Sequence, residues 1–265
     1  MAPPRILIVG KMGVGKTTVS EALIEAPMTA DDSCRDAKKP YEYIVHRSSA
    51  WTIIDTSGLD GISNNEVSIS QALRNLHGLL QESMGGYHAA LFVIRAGRFD
   101  LSDTAALQIF ASVFAGLRDR TQVVITRCEN DEDWLEENHG FCQKFFSPQL
   151  GVLPRERFVC VGFPYIKHVK TDRDRAQETI FAHERAESAD RLRAFVAGIV
   201  SRNAEPTNCL SSASLKPAAL LHQLKMMLIQ IHGLDKFDRK AFAAGVRGAH
   251  LPDFDDAAIQ HALKG

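Results

Sequence analysis

The 265-residue sequence predicts an α/β domain with a mostly parallel central sheet flanked by helices, and a short C-terminal helical extension. Short runs rich in β-branched and aromatic residues alternate with longer segments of helical period, which is typical of strands joined by crossover helices. After about Ser201 the helical pattern ends in a stretch of polar residues interrupted by Pro206, and this change marks the start of the extension. The predicted strands are Ile6–Val9, Tyr41–Val45, Trp51–Ile54, Ala90–Ile94, Val123–Thr126 and Phe158–Val161.

Three segments between or after these strands carry apolar residues at helical spacing, which predicts that each turns one face to the core. They are Ile69, Ala72, Leu73, Leu76 and Leu80; Leu107, Phe110, Ala111 and Phe114; and Leu192, Val196 and Ile199. Asp100 or Ser102 can cap the middle helix, because a short side-chain oxygen accepts the unpaired N–H groups of a first turn. The charged run from His168 to Arg175 is predicted to be a solvated loop.

The composition excludes several classes of protein. Lys plus Arg (31) nearly balances Asp plus Glu (32), so no overall basic field favours nucleic acid or an anionic membrane. The five cysteines have no CxxC spacing, which argues against a zinc site and a disulfide framework and favours the cytoplasm. No stretch approaches the roughly 20 apolar residues of a membrane span, whereas peripheral membrane contact stays open.

The chain is divided into a domain over residues 1–201 and an extension over residues 202–265. Residues 203–214 are predicted to be a linker. Beyond it, one helix carries an apolar stripe formed by Leu221, Leu224, Leu228 and Ile231. This stripe can pack on the chain's own domain, on a second copy or on a membrane, and its short length favours the first.

A glycine-rich motif directly after the first strand is the strongest sign of function. It matches GxxxxGK followed by Ser or Thr, and comprises Gly10, Lys11, Met12, Gly13, Val14, Gly15, Lys16 and Thr17, with Thr18 next. Such a loop cradles phosphates with its backbone N–H groups, and a helix starting near Lys16 adds its positive end. Lys16 would reach the β- and γ-phosphates, and the Thr17 hydroxyl would bind Mg²⁺. The motif therefore predicts a P-loop nucleotide-binding domain.

A second motif, Asp55-Thr-Ser-Gly58, follows the third predicted strand and fits DxxG. The Asp55 carboxylate can hold Mg²⁺ through water, and the Gly58 N–H can sense the γ-phosphate. By itself the tetrapeptide is more typical of a turn, but together with the phosphate loop it predicts a GTPase.

A third motif, Thr126-Arg-Cys-Glu129, lies where GTPases carry the residues that read the base. A carboxylate at Glu129 can accept two hydrogen bonds from the N1 and N2 edge of guanine, which adenine does not offer. Arg127 replaces the usual Lys and Glu129 the commoner Asp. A solvated loop is the alternative interpretation of this segment.

These stretches, with Ala96-Gly-Arg-Phe99, resemble the GIMAP or AIG-type immunity-associated GTPases, relatives of septins and of chloroplast outer-envelope import GTPases. The likeness covers about residues 5–200, and the Ala96–Phe99 box is its most specific part. It implies a GTP- and GDP-binding switch that uses Mg²⁺, with Thr126, Arg127 and Glu129 at the base. Septin-like relatives dimerise through the face that carries the switches, so a homodimer through this face is expected.

Leu59 occupies the position where small GTPases carry the Gln that orients the attacking water. We therefore expect slow GTP hydrolysis, with Lys16, Thr17 and Gly58 as the catalytic groups. Thr29 and Ser33 are the candidates for a first-switch Mg²⁺ ligand. Alternatives are a dimeric ATPase of the kind that positions septa or partitions DNA, where a lysine like Lys11 reaches the partner's site, and a non-hydrolysing pseudo-GTPase scaffold.

Overall fold

The computed structural model describes residues 2–25, 43–58, 69–128, 132–164, 170–208, 221–222, 225–226, 229, 237–249 and 255–264. These residues form one six-stranded sheet with helices on both faces. The strands are β1 (Arg5–Val9), β2 (Tyr43–Arg47), β3 (Thr52–Thr56), β4 (Ala89–Arg95), β5 (Thr121–Thr126) and β6 (Phe158–Val161). The helices are α1 (Lys16–Ile24), α2 (Ile69–Ser83), α3 (Leu101–Val113), α4 (Glu132–Leu150), α5 (Asp172–Arg202), α6 (Arg239–Gly248) and α7 (Asp256–Lys264).

The strand order in the sheet is β2-β3-β1-β4-β5-β6. Every neighbouring pair is parallel except β2 and β3, which pair antiparallel at one edge. This arrangement confirms the predicted α/β fold with a mostly parallel sheet, and each predicted strand is present. Because the carboxyl ends of parallel strands meet at one edge of a sheet, the loops after β1, β3 and β5 lie together.

Two apolar clusters cover the two faces of the sheet. The first joins the sheet to α2, α3 and α4, and rings such as Phe92 and Phe110 lie 5.6 Å apart within it. The second joins the sheet to α1 and α5. Side chains alternate along each strand, so Ile54 of β3 belongs to the first cluster and Ile53 to the second.

Helix boundaries settle two of the sequence expectations. Asp100, not Ser102, is the N-cap of α3, and it forms a capping box with Asp103. The expectation of a loop up to Arg175 is wrong for its last part, because α5 begins at Asp172 with Thr171 as its N-cap. Acidic residues in the first turn of a helix interact favourably with its positive end, which accounts for a charged run inside α5.

The C-terminal residues that the structure describes pack on the domain. Thr207, in the predicted linker, forms an isolated β-bridge with Tyr87 just before β4. Leu221 is fully buried in the cluster of α2, α3 and α4. On α6, the carbonyl of Gly248 accepts a hydrogen bond from Arg74 of α2 at 3.2 Å. The other stripe residues, Leu224, Leu228 and Ile231, lie outside the described residues.

Among the helices described, none is long and apolar enough to cross a membrane. The cysteines at 128, 142 and 160 are free thiols inside the core. Burial raises the pKa of the Cys142 thiol to about 12, so this thiol stays protonated at neutral pH.

Candidate nucleotide-binding site

The loop between β1 and α1 has the backbone of a phosphate-binding loop. Gly10, Gly13 and Gly15 all have positive φ angles, of 148°, 79° and 93°. At Gly10 a Cβ would lie 2.3 Å from the carbonyl oxygen of Val93, so no other residue fits beside β4. Gly15 is the N-cap of α1, which places Lys16 and Thr17 in the first turn of the helix.

Lys16 is bent back over this loop. Its Nζ donates a hydrogen bond to the carbonyl oxygen of Lys11 at 2.6 Å, and the residue is 7% exposed. The ammonium group is thus positioned inside the turn of the loop, where an anionic group would replace a carbonyl as its partner. A phosphate oxygen carries more negative charge than a carbonyl, so the exchange is favourable.

The second motif meets the phosphate loop directly. Thr17 Oγ1 donates to Asp55 Oδ2 at 3.0 Å, and Asp55 is fully buried at the end of β3. Ser20, which the sequence analysis did not single out, lies one turn along α1, with its Oγ 3.4 Å from Asp55 Oδ2 and 2.9 Å from the Thr17 carbonyl. Its position three residues after Thr17 is the sequence signal that could have found it.

These oxygens have the chemistry that Mg²⁺ requires. The hydroxyl of Thr17 and the carboxylate of Asp55 are hard donors within reach of one ion. Among the described residues no group of three or more His, Cys, Asp and Glu side chains could hold a metal. Phosphate oxygens and water would therefore fill the remaining coordination positions of an ion here, which is how Mg²⁺ usually binds with nucleotides.

Thr126 connects the third motif to the phosphate loop. Its Oγ1 donates to the carbonyl of Val14 at 2.6 Å and lies 3.0 Å from the carbonyl of Ile94. Arg127 is exposed, and its backbone is in the left-handed region with φ of 61°, whereas Cys128 is buried. Glu129, the predicted base-reading carboxylate, lies outside the described residues, as do Leu59, Thr29 and Ser33.

Lys11 has partners that the sequence did not reveal. Its Nζ lies 2.7 Å from Asp100 Oδ2 and 2.8 Å from Asp103 Oδ2, so it joins the phosphate loop to the capping box of α3. Burial lowers the pKa of Lys11, but the hydrogen bonds and charges of the two carboxylates outweigh this and raise it overall. The hydrogen bond from Lys11 lowers the pKa of Asp100, whereas burial raises the pKa of the less accessible Asp103.

The Ala96–Phe99 box extends this connection to α4. The Phe99 ring stacks on Phe141 with 4.8 Å between centroids, and it lies 4.1 Å from Phe145. Phe99 directly precedes Asp100, so one short segment contacts α4 on one side and the phosphate loop on the other. Met12 and Leu101 flank this contact and are 43% and 87% exposed.

The remaining predicted site residues are placed as follows. Val14 is a buried residue of the loop, Thr18 is half-buried on α1, and Gly58 is buried after β3. The structure thus brings together the phosphate loop, the DxxG motif and Thr126 at one edge of the sheet. These motifs, and the sheet that carries them, are those of a P-loop GTPase-type domain.

Residues 4–150 match the AIG1 family, more than half of the sequence, and the chain belongs to that family. This confirms the resemblance to AIG-type GTPases.

Three solved structures are similar to this chain. Toc33 from Arabidopsis thaliana, solved as a dimerization-deficient variant, is 17% identical with a TM-score of 0.51, over 78% of this chain and 88% of Toc33. LeoA, a bacterial dynamin GTPase from ETEC, is 15% identical with a TM-score of 0.51, over 92% of this chain and 40% of LeoA. The translation elongation factor SelB from Methanococcus maripaludis is 13% identical with a TM-score of 0.42, over 77% of this chain and 35% of SelB. The chain therefore spans well under two thirds of SelB and LeoA.

Proposed function

We propose that the protein binds GTP and GDP with Mg²⁺ and acts as a slow GTPase whose nucleotide state controls assembly. The observation that carries this proposal is the hydrogen bond from Thr17 to the buried carboxylate of Asp55. This bond joins the two motifs that in GTPases hold the metal ion and sense the terminal phosphate. Membership of the AIG1 family and the GTPase fold support the guanine nucleotide as the ligand.

In this function each motif has a separate role. Lys16 would leave the Lys11 carbonyl for the β- and γ-phosphates, and Thr17 with Asp55 would hold the ion. When bound, Mg²⁺ would neutralise charge on the phosphates. The Gly58 N–H would sense the terminal phosphate, and the Glu129 carboxylate would select guanine. Leu59 has no polar side-chain atom to orient water, which supports slow turnover.

The test of the phosphate site compares Lys16→Ala and Thr17→Ala with Lys144→Ala, an exposed lysine on α4. The first two should abolish Mg²⁺-dependent binding of GTP and GDP in calorimetry and leave the fold intact. Lys144→Ala should bind like the parent protein. Unchanged affinity after Lys16→Ala would refute the assignment.

The test of the base uses Glu129→Ala. Losing a charge-assisted pair should weaken GTP and GDP by about 1.5–3 kcal/mol and leave ATP binding equally poor. Tight ATP binding by the parent protein would favour the partitioning ATPase instead. The contacts of Lys11 speak against that alternative, because its ammonium is held within its own chain by Asp100 and Asp103.

Assembly is proposed through the face that carries the nucleotide. Met12 in the phosphate loop and Leu101, next to the Asp100 that contacts Lys11, are exposed and give this face an apolar component. Toc33, whose solved variant is dimerization-deficient, has a related fold. Light scattering should show a dimer with a non-hydrolysable GTP analogue and a monomer with GDP, and Leu101→Lys should abolish the dimer. A monomer with both nucleotides would contradict the switch.

Two further parts of the function remain proposals. We place the protein in the cytoplasm, where a reducing environment suits buried free thiols such as Cys142. We also propose that residues 1–201 form the GTPase domain and that residues 202–265 are an extension that docks on it.

A pseudo-GTPase scaffold would differ from a slow enzyme only in turnover, so phosphate release over hours distinguishes them.

A further inference from the structure

Ser57 carries a buried hydroxyl in the middle of the DxxG motif. The residue is 4% exposed, and its Oγ forms no hydrogen bond within the part of the chain that the structure describes. A buried hydroxyl without a partner costs stability, so such groups are uncommon in native proteins and call for an explanation. The neighbouring Thr56 is different, because its Oγ1 donates to the carbonyl of Ile8 at 2.8 Å.

The alternation of side chains along β3 indicates where Ser57 lies. Ile53 packs in the cluster formed with α1 and α5, and Ile54 packs on the opposite face of the sheet. Asp55 shares the face of Ile53, since its carboxylate accepts the hydrogen bond from Thr17 on α1. The same period of two, carried one step past the strand, places Ser57 on this face. The hydroxyl is therefore on the side of the phosphate loop.

We propose that Ser57 Oγ donates a hydrogen bond to the terminal phosphate of a nucleoside triphosphate. The inference rests on the proposed function, because it requires the triphosphate to occupy the phosphate loop. A phosphate oxygen accepts strongly from a hydroxyl, and this bond would satisfy a group that has no partner among the described residues. The adjacent Thr56 hydroxyl is committed to Ile8, and Leu59 has no polar side-chain atom.

Such a bond distinguishes triphosphate from diphosphate. GDP lacks the phosphate that Ser57 would contact, so the hydroxyl contributes to the affinity for GTP and not to that for GDP. Ser57 would then contribute to triphosphate recognition two residues before Leu59, the position at which small GTPases carry a Gln. Its role is to bind the phosphate and set nucleotide preference, and no proton transfer is assigned to it.

The test is Ser57→Ala in the full chain, with two measurements. Affinity for a non-hydrolysable GTP analogue should fall about tenfold, the usual worth of a hydrogen bond to a charged group, while affinity for GDP stays the same. The nucleotide-free protein should melt at an equal or higher temperature, because the variant removes a buried hydroxyl for which the described part of the chain offers no partner. Ser57→Thr keeps a hydroxyl and should keep the affinity for the analogue.

Ser83→Ala is the matched control. Ser83 is also fully buried, but its Oγ donates to the carbonyl of Leu79 at 2.6 Å and lies 2.8 Å from the Tyr87 hydroxyl, at the opposite edge of the sheet. This variant should melt at a lower temperature and keep the parent ratio of the two affinities. It therefore separates loss of a structural hydroxyl from loss of a phosphate ligand.

The outcomes separate the two proposals. If the parent protein binds neither nucleotide, the proposed function fails and the role of Ser57 fails with it. If the parent binds both and Ser57→Ala leaves the ratio of affinities unchanged, only the role of Ser57 is overturned. A lower melting temperature for nucleotide-free Ser57→Ala would also overturn it, because the hydroxyl would then have a partner in the protein.

Discussion

Phe242 on α6 provides the sharpest test of whether the C-terminal helices are part of the folded domain. Its ring is fully buried in the cluster of α2, α3 and α4, and its centroid lies 5.5 Å from that of Phe237. Replacing a buried Phe by Ala costs about 3–5 kcal/mol. In a protein of this size each kcal/mol lowers the melting temperature by about 2–4 °C. Phe242→Ala should therefore melt about 6–20 °C below the parent protein.

The measurement is calorimetry and urea denaturation of the full chain, with two controls on the same helix. Lys240 is exposed, and Lys240→Ala should change stability by no more than about 0.5 kcal/mol. Asp238 caps α6 by accepting from the N–H groups of Lys240 and Ala241, so Asp238→Ala should cost about 1 kcal/mol. An unchanged melting temperature for Phe242→Ala, with a dimer converted to a monomer, would show that α6 serves assembly and that the docking argument is wrong.

Three further predictions follow from the contacts described. Lys11→Met and Asp103→Asn should show a coupling of about 1 kcal/mol or more in a double-mutant cycle of unfolding, and the same value at all protein concentrations, since both groups belong to one chain. His88 accepts a hydrogen bond from the backbone N–H of Arg5, and burial together with the charge of Arg120 lowers its pKa below the ordinary 6.5. The unfolded chain therefore takes up a proton first as the pH falls, so stability should drop below about pH 6.5 in urea titrations; His88→Asn, which keeps an acceptor, should flatten this slope. Gly10→Ala should lower the melting temperature and abolish nucleotide binding, because its Cβ would meet the Val93 carbonyl at 2.3 Å, whereas Gly13→Ala has open space and should cost only about 1–2 kcal/mol of strain.

Local signals in the sequence were sufficient for the sheet and the phosphate loop. Every strand was predicted from runs of β-branched and aromatic residues separated by segments of helical spacing. This works because both patterns are formed by residues close together in the sequence. Thr17 and Asp55 were predicted as metal ligands from two motifs, and the structure places them in contact. Asp100 was one of two caps that the sequence predicted, and the structure selects it through its capping box with Asp103.

Contacts between distant residues could not be predicted in this way. Lys11 and Asp100 are far apart in sequence, and no pattern of residue types showed that the loop and the helix would meet. Helix α4 was not predicted either, and Pro148 in its last turns is a sequence signal against a helix there. The segments around Glu129 and Leu59 lie outside the described residues, so their roles stay predictions.

The two carboxylates that start α3 also neutralise Lys11, and this double use limits how the protein can evolve. If Lys11 alone were lost, Asp100 and Asp103 would face each other without a counter-charge, one of them in a buried position. If Asp103 alone were lost, the ammonium would keep one exposed partner and the helix would lose half of its capping box. Positions 11, 100 and 103 should therefore be exchanged together during divergence, as a unit spanning two motifs that are far apart along the chain.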